Sequence, residues 1–263
     1  MADRKLTHVG SRDNPLLVRL RKLARHPGEY RKLGQVLLEG EHLCQAWAAR
    51  GGVPALQALV AASAWSAGRH VELAQAAEAI VVVADAAMAE ASALETPPQV
   101  AFVVALPAAP AIRRDVPSVV LDRVQDAGNV GSILRSAAAF GFVQVIALEG
   151  TASLWSPKVL RAGMGAHFAL ALIENRQADA IAELSLPLIG TSSHAESSLA
   201  DAGLDAPCAW VFGNEGAGAS ATVQARCARV LRIPQPGGEE SLNVAAAAAI
   251  CLYASSRREG QPR

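Results

Sequence analysis

The chain has 263 residues, of which 51% are apolar and 18% charged, and its formal net charge is zero. This length and composition exclude a disordered chain and allow one large or two small domains, each with a core of its own. The longest apolar stretch, Val244 to Ala254, is too short to span a bilayer, and no apolar signal core follows the charged start of the chain, so we expect a cytoplasmic protein without a membrane segment.

Positive charge is concentrated at the start of the chain. Residues 1–32 hold nine Lys or Arg against three acidic residues, so this segment carries a charge of +6 and the remainder −6. Asn14-Pro15 is a typical helix start, and leucines then recur at helical spacing with Arg19 and Lys22 between them. The pattern predicts an amphipathic basic helix, which serves either as a contact for phosphates or simply as a solvated helix face.

Apolar runs alternate with alanine-rich stretches over the next seventy or so residues. Strands are predicted at Val36–Leu38, Leu56–Ala61, Ile80–Ala84 and Val100–Leu106, and helices at Glu41–Ala49 and Asp85–Ala93. The alternation predicts a small α/β domain over residues 1–106. Residues 107–117 contain three prolines and lack hydrophobic periodicity, so they are predicted to form a semi-rigid linker.

Near-continuous apolar runs separated by helix-like segments fill residues 118–263. The predicted strands are Val119–Asp122, Val143–Leu148, Phe168–Ile173, Leu186–Gly190, Ala209–Gly213 and Val230–Ile233. The predicted helices are Val130–Phe140, Pro157–Gly163, Asp179–Leu184, Ser220–Ala228 and Leu242–Ser255. Buried strands that alternate with helices favour a second α/β domain with a mostly parallel sheet covered on both faces.

Cysteine and histidine spacing gives no sign of a disulfide framework or a metal centre. The four cysteines are far apart with no Cys-x-x-Cys pair, and the six histidines show no metal-ligand spacing. We therefore expect reduced, buried thiols and no bound metal.

The first polar motif of the second domain, Asp126-Ala127-Gly128-Asn129, follows the first predicted strand of that domain. Asn129 is expected to cap the next helix, whose free amides and dipole favour an anion. Arg135 is the only charged residue of that helix. An isolated arginine there needs a carboxylate, a phosphate or solvent, and a structural salt bridge with Asp122, Asp126 or Glu215 is the plainer alternative.

The second motif is the glycine-rich turn Gly213-Asn214-Glu215-Gly216-Ala217-Gly218. Its three glycines allow close approach to a ligand or positive φ angles, although such turns are more often structural. It is neither the dinucleotide fingerprint nor a Walker phosphate loop, which argues against an NAD or ATP enzyme. Glu215 needs a cationic or hydrogen-bond-donating partner, and Arg135 is one candidate.

The third motif runs from Ile233 through a Pro/Gly loop to Ser241-Leu242-Asn243 at the start of the last helix. A serine N-cap would account for Ser241 but poorly for Asn243. A serine hydrolase is disfavoured because no Gly-x-Ser-x-Gly elbow surrounds Ser241.

In this order and spacing, with Ser156–Ala166 between the first two, the motifs resemble those of the SpoU (TrmH-like) family of RNA ribose 2′-O-methyltransferases, over roughly residues 118–255. Ser11–Pro15 and Leu38–Glu41 are similar to the ribosomal-protein-L30e-like substrate-binding domain that precedes the catalytic domain in many members. The chain departs from the family at Ala127, where proline is common, and at Gln235, where methionine is frequent.

The resemblance implies that the second domain is an α/β-knot, in which the C-terminal part of the mostly parallel sheet threads through a loop to form a deep trefoil knot. It also implies that three loops bind S-adenosylmethionine and that the protein acts on RNA as a homodimer. Those loops are Gly190–Ser193, Gly213–Gly218 and Ile233–Leu242. The cofactor-binding residues that it indicates are Thr191, Gly213, Asn214, Gly216, Ile233 and Leu242.

The resemblance also implies catalytic roles. Arg135 would activate or orient the ribose 2′-hydroxyl, Asn129 and Glu215 would position Arg135 and the ribose, and Ser241 and Asn243 would fix the third motif. Because a guanidinium loses its proton only above about pH 12, we favour polarisation of the hydroxyl by Arg135 together with a phosphate, with true proton abstraction as the rival.

Two other functions remain open from sequence. One is a catalytically silent RNA-binding scaffold with the same fold, against which the retention of all three motifs argues. The other is a different nucleotide-binding α/β enzyme, which the missing phosphate loops disfavour. The sequence leaves open whether the RNA is ribosomal or transfer RNA and which nucleotide is methylated.

Overall fold

The computed structural model describes residues 5–50, 53–204, 207–237 and 241–256. The strands are β1 Lys5–Val9, β2 Gln35–Glu39, β3 Ala55–Ala61, β4 Ala77–Val83, β5 Val100–Ala105, β6 Ser118–Asp122, β7 Gln144–Leu148, β8 Ala171–Arg176, β9 Leu188–Thr191, β10 Ala209–Gly213 and β11 Arg229–Leu231. The α-helices are α1 Pro15–Arg25, α2 Glu29–Leu33, α3 Glu41–Ala49, α4 Ala62–Ser66, α5 Val71–Ala74, α6 Asp85–Ala91, α7 Ala127–Ala139, α8 Pro157–Gly163, α9 Ala221–Gln224 and α10 Val244–Ser256.

The chain divides into two compact units, one made of residues 1–108 and 155–168 and the other of residues 109–154 and 169–263. The first contains a five-stranded sheet of order β1-β4-β3-β5-β2. Strands β1, β4 and β3 run parallel, whereas β5 is antiparallel to both β3 and β2. The sheet is therefore mixed, and the unit has the predicted α/β class.

The basic segment forms α1 as its pattern predicts. The side chain of Asn14 accepts a hydrogen bond from the amide of Leu16 at 2.9 Å, and Pro15 occupies the first helical position. The leucines at helical spacing, Leu17, Leu20 and Leu23, are buried. Strand β1 was not predicted, because this edge strand is mostly exposed and lacks an apolar run.

Residues 155–168 correct the predicted domain boundaries. The sequence placed them in the second domain, but they lie in the first unit. Buried Val159 and Leu160 come from α8, which contacts β2. The ring of Phe168 meets that of Trp47 edge-on, with 5.3 Å between centroids. Apolar burial against β2 and α3 thus keeps this segment in the first unit.

The second unit contains a six-stranded sheet of order β11-β9-β10-β6-β7-β8. Every pairing in it is parallel, which confirms the predicted parallel sheet. Strands β6 and β10 are central neighbours, and Gly213 at the end of β10 pairs with Asp122 at the end of β6. The segments that follow these two strands, which carry the first and second motifs, must therefore leave the sheet side by side.

Several predicted elements of the second unit differ in extent from those observed. The helix predicted at Asp179–Leu184 is a 3₁₀-helix over Ala178–Glu183, and the one predicted at Ser220–Ala228 is the short α9. Within the described residues the cysteines are free thiols, with Cys44, Cys208 and Cys251 buried. Among the helices in the described ranges, none has the length and hydrophobicity needed to cross a membrane.

Candidate active site

The first and second motifs meet at the carboxyl ends of β6 and β10. The carboxylate of Glu215 accepts hydrogen bonds from the backbone amides of Gln125 at 3.3 Å and Asp126 at 3.2 Å. It also accepts one from Nδ2 of Asn129 at 3.1 Å. One side chain of the glycine-rich turn thereby fixes the loop before α7.

The third motif joins this cluster through Asn243. Its Nδ2 donates to Oδ1 of Asn129 at 2.9 Å, so that Asn129 binds Glu215 with one end of its amide and Asn243 with the other. Oδ1 of Asn243 accepts from the backbone amides of Ala245 and Ala246 at 2.9 and 3.2 Å. Asn243, rather than Ser241, therefore caps α10.

Asn129 is not the helix cap that the sequence suggested. Helix α7 begins earlier, at Ala127, and its N-cap is Asp126, whose Oδ1 accepts from the amide of Asn129 at 2.7 Å. Because the cap is provided by Asp126, the side chain of Asn129 is available to bridge the other two motifs.

The surroundings of Glu215 keep it ionised. Burial is the largest single influence on the pKa of the Glu215 carboxyl and raises it. The hydrogen bonds from the Asn129 side chain and from the backbone amides of Glu215, Asp126 and Gln125 together outweigh burial, so the net pKa is below its ordinary value. A carboxylate that accepts several hydrogen bonds is favoured in its charged form. Glu215 is thus an ionised hydrogen-bond acceptor whose position is fixed by these donors.

Arg135 lies on α7 with an exposed side chain. The three carboxylates proposed as its structural partners are engaged elsewhere: Asp122 with Arg123, Asp126 at the helix cap, and Glu215 with the amides described above. Within the described residues Arg135 forms no hydrogen bond or ion pair. Its guanidinium is therefore open to a substrate, and the structural salt bridge considered from sequence is absent there.

The glycine-rich turn is built by Gly213 and Asn214. Oδ1 of Asn214 accepts from the amides of Gly216 and Ala217, each at 3.0 Å, and the backbones of Asn214 and Gly218 bond each other at 3.0 and 2.9 Å. A Cβ on Gly213 would lie 2.0 Å from the amide nitrogen of Ala219, so no larger residue fits.

The other predicted cofactor residues are not joined to this cluster by hydrogen bonds in the described ranges. Oγ1 of Thr191 donates to the carbonyl of Val211 at 3.5 Å, Ile233 is half-buried, and Leu242 is 38% exposed. Ser241 is exposed, while residues 238–240 of the same loop lie outside the described residues.

Gln235, in the third motif, has an unsatisfied polar atom. Its Oε1 is buried with no hydrogen-bond partner in the part of the chain that the structure describes. A buried acceptor left in this state needs a donor from elsewhere. Across the same residues, no three His, Cys, Asp or Glu side chains form a group able to hold a metal ion.

Sequence reasoning missed Asp126 as the cap and Arg123 as a contact of the glycine-rich turn. Nδ2 of Asn214 donates to the carbonyl of Arg123 at 3.1 Å, and Oδ2 of the buried Asp122 accepts from the amide of Ser220. A buried acidic residue at the end of an apolar strand was the available signal for Asp122, because such a group must find donors.

The fold and site define an α/β protein whose parallel sheet carries a polar, glycine-rich cluster at the carboxyl ends of its central strands. Residues 117–253 match the model of the SpoU rRNA Methylase family. The chain belongs to this family, which confirms the family resemblance in the sequence.

Among the proteins to which the chain is similar are two curated relatives and one solved structure. A 23S rRNA (uridine(2479)-2′-O)-methyltransferase of Streptomyces viridochromogenes is 32% identical over 69% of this chain and 68% of its own length. An uncharacterized tRNA/rRNA methyltransferase of Synechocystis is 31% identical over 97% of this chain and 95% of its own. The structure is the SpoU methyltransferase AviRb from Streptomyces viridochromogenes with AdoMet, at 27% identity and a TM-score of 0.78, covering 92% of this chain and 97% of that one.

Proposed function

We propose that the protein transfers the methyl group of S-adenosylmethionine to a ribose 2′-hydroxyl in ribosomal or transfer RNA. The observation that carries the proposal is the hydrogen-bonded chain Asn243–Asn129–Glu215, which joins all three family motifs in one site. Relatives named as rRNA 2′-O-methyltransferases support a catalytic role over that of a silent scaffold.

The residues present fit S-adenosylmethionine. The cofactor bears amino groups able to donate a hydrogen bond to Oε1 of Gln235, which is otherwise buried without a partner among the described residues. The turn Gly213–Gly218 and the segments at Thr191 and Ile233 would hold the remainder, with Leu242 alongside. When bound, the cofactor supplies an electrophilic methyl group on a sulfonium centre.

The chain's own contribution to the reaction is to hold the ribose hydroxyl and polarise it. Arg135 has its guanidinium exposed and projects from α7, whose first turn is fixed by Asp126, Asn129 and Glu215. A fixed helix start limits the positions that the guanidinium can reach. Correct positioning of the reacting groups supplies a large part of the rate acceleration when two substrates react. Arg135 would polarise the hydroxyl together with an RNA phosphate. Proton abstraction by Arg135 itself is the rival mechanism.

We further propose a homodimer formed through α10. Ile250 and Tyr253 on this helix are 40% and 50% exposed, and Leu242 just before it is also exposed. Large apolar side chains grouped on one exposed element are typical of an interface between subunits. We also propose that the second domain forms a deep trefoil knot, that the first is an L30e-like RNA-binding domain, and that the protein is cytoplasmic.

Calorimetric titration with S-adenosylmethionine and S-adenosylhomocysteine, beside ATP and NAD, tests the proposal. We expect saturable binding of the first two ligands alone, and Arg135→Ala should retain that binding because Arg135 acts on the RNA. Binding of neither, by folded protein free of carried-over cofactor, would favour the silent scaffold. Tight binding of ATP or NAD would instead indicate another enzyme class.

A further inference from the structure

Arg123, directly after β6, has a backbone conformation that favours glycine. Its φ angle is 61°, in the left-handed region. Non-glycine residues held there are strained, and such strain persists where the surrounding contacts determine the conformation. The contacts of Arg123 therefore indicate what this conformation serves.

The backbone of Arg123 connects two loops. Its amide donates to Oγ1 of Thr151 at 3.0 Å, and Oγ1 of Thr151 in turn donates to the carbonyl of Leu121 at 2.9 Å. Its carbonyl accepts from Nδ2 of Asn214 at 3.1 Å. The left-handed turn thus directs one peptide group toward the loop after β7 and the other toward the glycine-rich turn.

The side chain of Arg123 reaches the far end of the same turn. Nε donates to Oδ1 of Asp122 at 3.2 Å, and Nη2 approaches the carbonyl of Gly218 at 3.5 Å. The Asp122 side chain is 4% exposed, and its second oxygen accepts from the amide of Ser220 at 2.5 Å. Arg123 and Asp122 together hold residues 214, 218 and 220, while Glu215 between them is held by the loop before α7.

We propose that Arg123 is a positioning residue for methyl transfer, which holds both ends of the turn Gly213–Gly218 and thereby sets the affinity for the cofactor. This inference rests on the proposed function, because it takes the turn as part of the S-adenosylmethionine site. A glycine at position 123 would remove the backbone strain but also the guanidinium contacts, so the presence of arginine indicates that the contacts matter.

Amide hydrogen exchange of the cofactor-free protein tests the structural half of the inference. In Arg123→Gly, peptides covering residues 212–220 should exchange faster, while those covering β7 should not change. Arg176→Ala is the matched control, because Arg176 pairs with Glu183 on the surface of the same unit. Unchanged exchange at 212–220 would overturn the inference whatever the function of the protein.

Calorimetry with S-adenosylhomocysteine tests the functional half. Arg123→Gly should bind about tenfold more weakly with unchanged stoichiometry, which is the loss expected for roughly one charge-assisted hydrogen bond. Arg123→Lys keeps the strained backbone but has a single compact ammonium group, so its affinity should lie between those of the native protein and Arg123→Gly. Arg176→Ala should bind like the native protein.

The outcomes separate this inference from the proposed function. If the native protein binds the ligand and Arg123→Gly binds equally well, or shows only a lower stoichiometry, Arg123 is structural and the inference fails alone. If Arg123→Gly does not fold, a native-like affinity of Arg123→Lys has the same meaning. If the native protein itself does not bind the ligand, the proposed function fails and the inference falls with it.

Discussion

Glu39 is a buried carboxylate in the first unit. Glu39 is 8% exposed. Oγ of Ser92 donates to Oε1 of Glu39 at 2.6 Å, and Nη1 of Arg161 lies 3.6 Å from Oε2. Burial raises the pKa of Glu39, and the hydrogen bond from Ser92 and the charge of Arg161 offset this only in part. The contact joins β2 to α8, the segment that the sequence placed in the other domain.

The raised pKa predicts a pH-dependent stability. A carboxyl whose pKa is raised by folding contributes stability that is fully present below its unfolded pKa and is lost as the pH rises through the folded pKa. Glu39→Gln cannot titrate, so the free energy of unfolding of the native protein minus that of the variant should decline as the pH rises above 4.5, the ordinary pKa of a glutamate. Chemical denaturation at a series of pH values on both sides of 4.5 measures this difference.

Glu41→Gln is the matched control for this experiment, because Glu41 is an exposed carboxylate two residues away that accepts a hydrogen bond from Gln45. A pH-independent difference for Glu39→Gln, or one that changes with pH no more than that of Glu41→Gln, would contradict the assigned effect of burial on Glu39.

The residues of the site were predictable from sequence where their motif is distinctive. Asn129, Glu215 and Asn243 were singled out by their motifs, and the structure brings all three together. The cap at Asp126 and the turn at Arg123 were not, because both depend on where a helix begins and on contacts with residues some ninety positions away. The roles of Arg135 and Ser241 stay predictions.

The cations of the basic segment fall into two groups by their contacts. Nη2 of Arg19 donates to Gln57 at 3.2 Å, and Arg25 donates to the carbonyl of Glu90 at 3.1 Å, so these cations serve the fold. Lys22, His26 and Lys32 line an open cavity of about 400 Å³, in which Nζ of Lys32 also pairs with the carboxylate of Glu29 at 3.4 Å. That cavity is the better candidate for an RNA phosphate.

We therefore expect that the double variant Lys22→Gln, Lys32→Gln binds RNA more weakly without a change in sequence preference. Each lost phosphate contact should reduce the slope of log affinity against log salt by about 1. Fluorescence anisotropy at several salt concentrations measures the slope. Arg69→Gln, at an exposed cation of the same unit away from the cavity, should leave it unchanged, and an unchanged slope in the double variant would remove the cavity from the RNA interface.

Strands and helices with a clear period were predicted well, and those that depend on neighbours were not. Strand β10 and helices α3 and α8 have their predicted bounds, because each is a compact apolar or periodic run. Strand β1 has two apolar residues, Leu6 and Val9, and Leu6 remains 47% exposed, so the pairing of this strand with β4 decides its structure. Helix α7 begins at Ala127, three residues before the predicted start at Val130, because Asp126 supplies the cap.

The proposed dimer is formed through the outer face of α10 in the second unit. Helix α10 packs on α7, where the ring of Tyr253 meets that of Phe140 with 5.6 Å between centroids. Its outer face still exposes Ile250. A helix that is apolar on most sides needs a partner beyond its own unit.

Ile250→Lys should therefore weaken the proposed dimer at least about tenfold, because a buried ammonium at an interface core has no partner. Sedimentation velocity over a range of concentrations measures the shift toward monomer. Val53→Lys is the matched control, since Val53 is an apolar side chain of the first unit that is 65% exposed. If the native protein is monomeric, or if Ile250→Lys dimerises as tightly, α10 is not the interface.

The division of the whole chain was predictable only in part. The break between the units at residue 108 falls in the proline-containing segment that was predicted to be a linker. The return of residues 155–168 to the first unit was not predictable, because it depends on contacts such as Glu39 with Arg161, more than a hundred residues apart. Periodicity reports which face of an element is buried, but not which distant element covers it.

Transfer of labelled methyl groups from S-adenosylmethionine to RNA tests the central claim most directly. Ribosomal and transfer RNA would be incubated with the native protein and Arg135→Ala, and digested to nucleosides. We expect label in 2′-O-methylated nucleosides with the native protein, and a loss of label of about a hundredfold or more in the variant at unchanged affinity for S-adenosylhomocysteine. Label on a base, or full activity in Arg135→Ala, would contradict this claim.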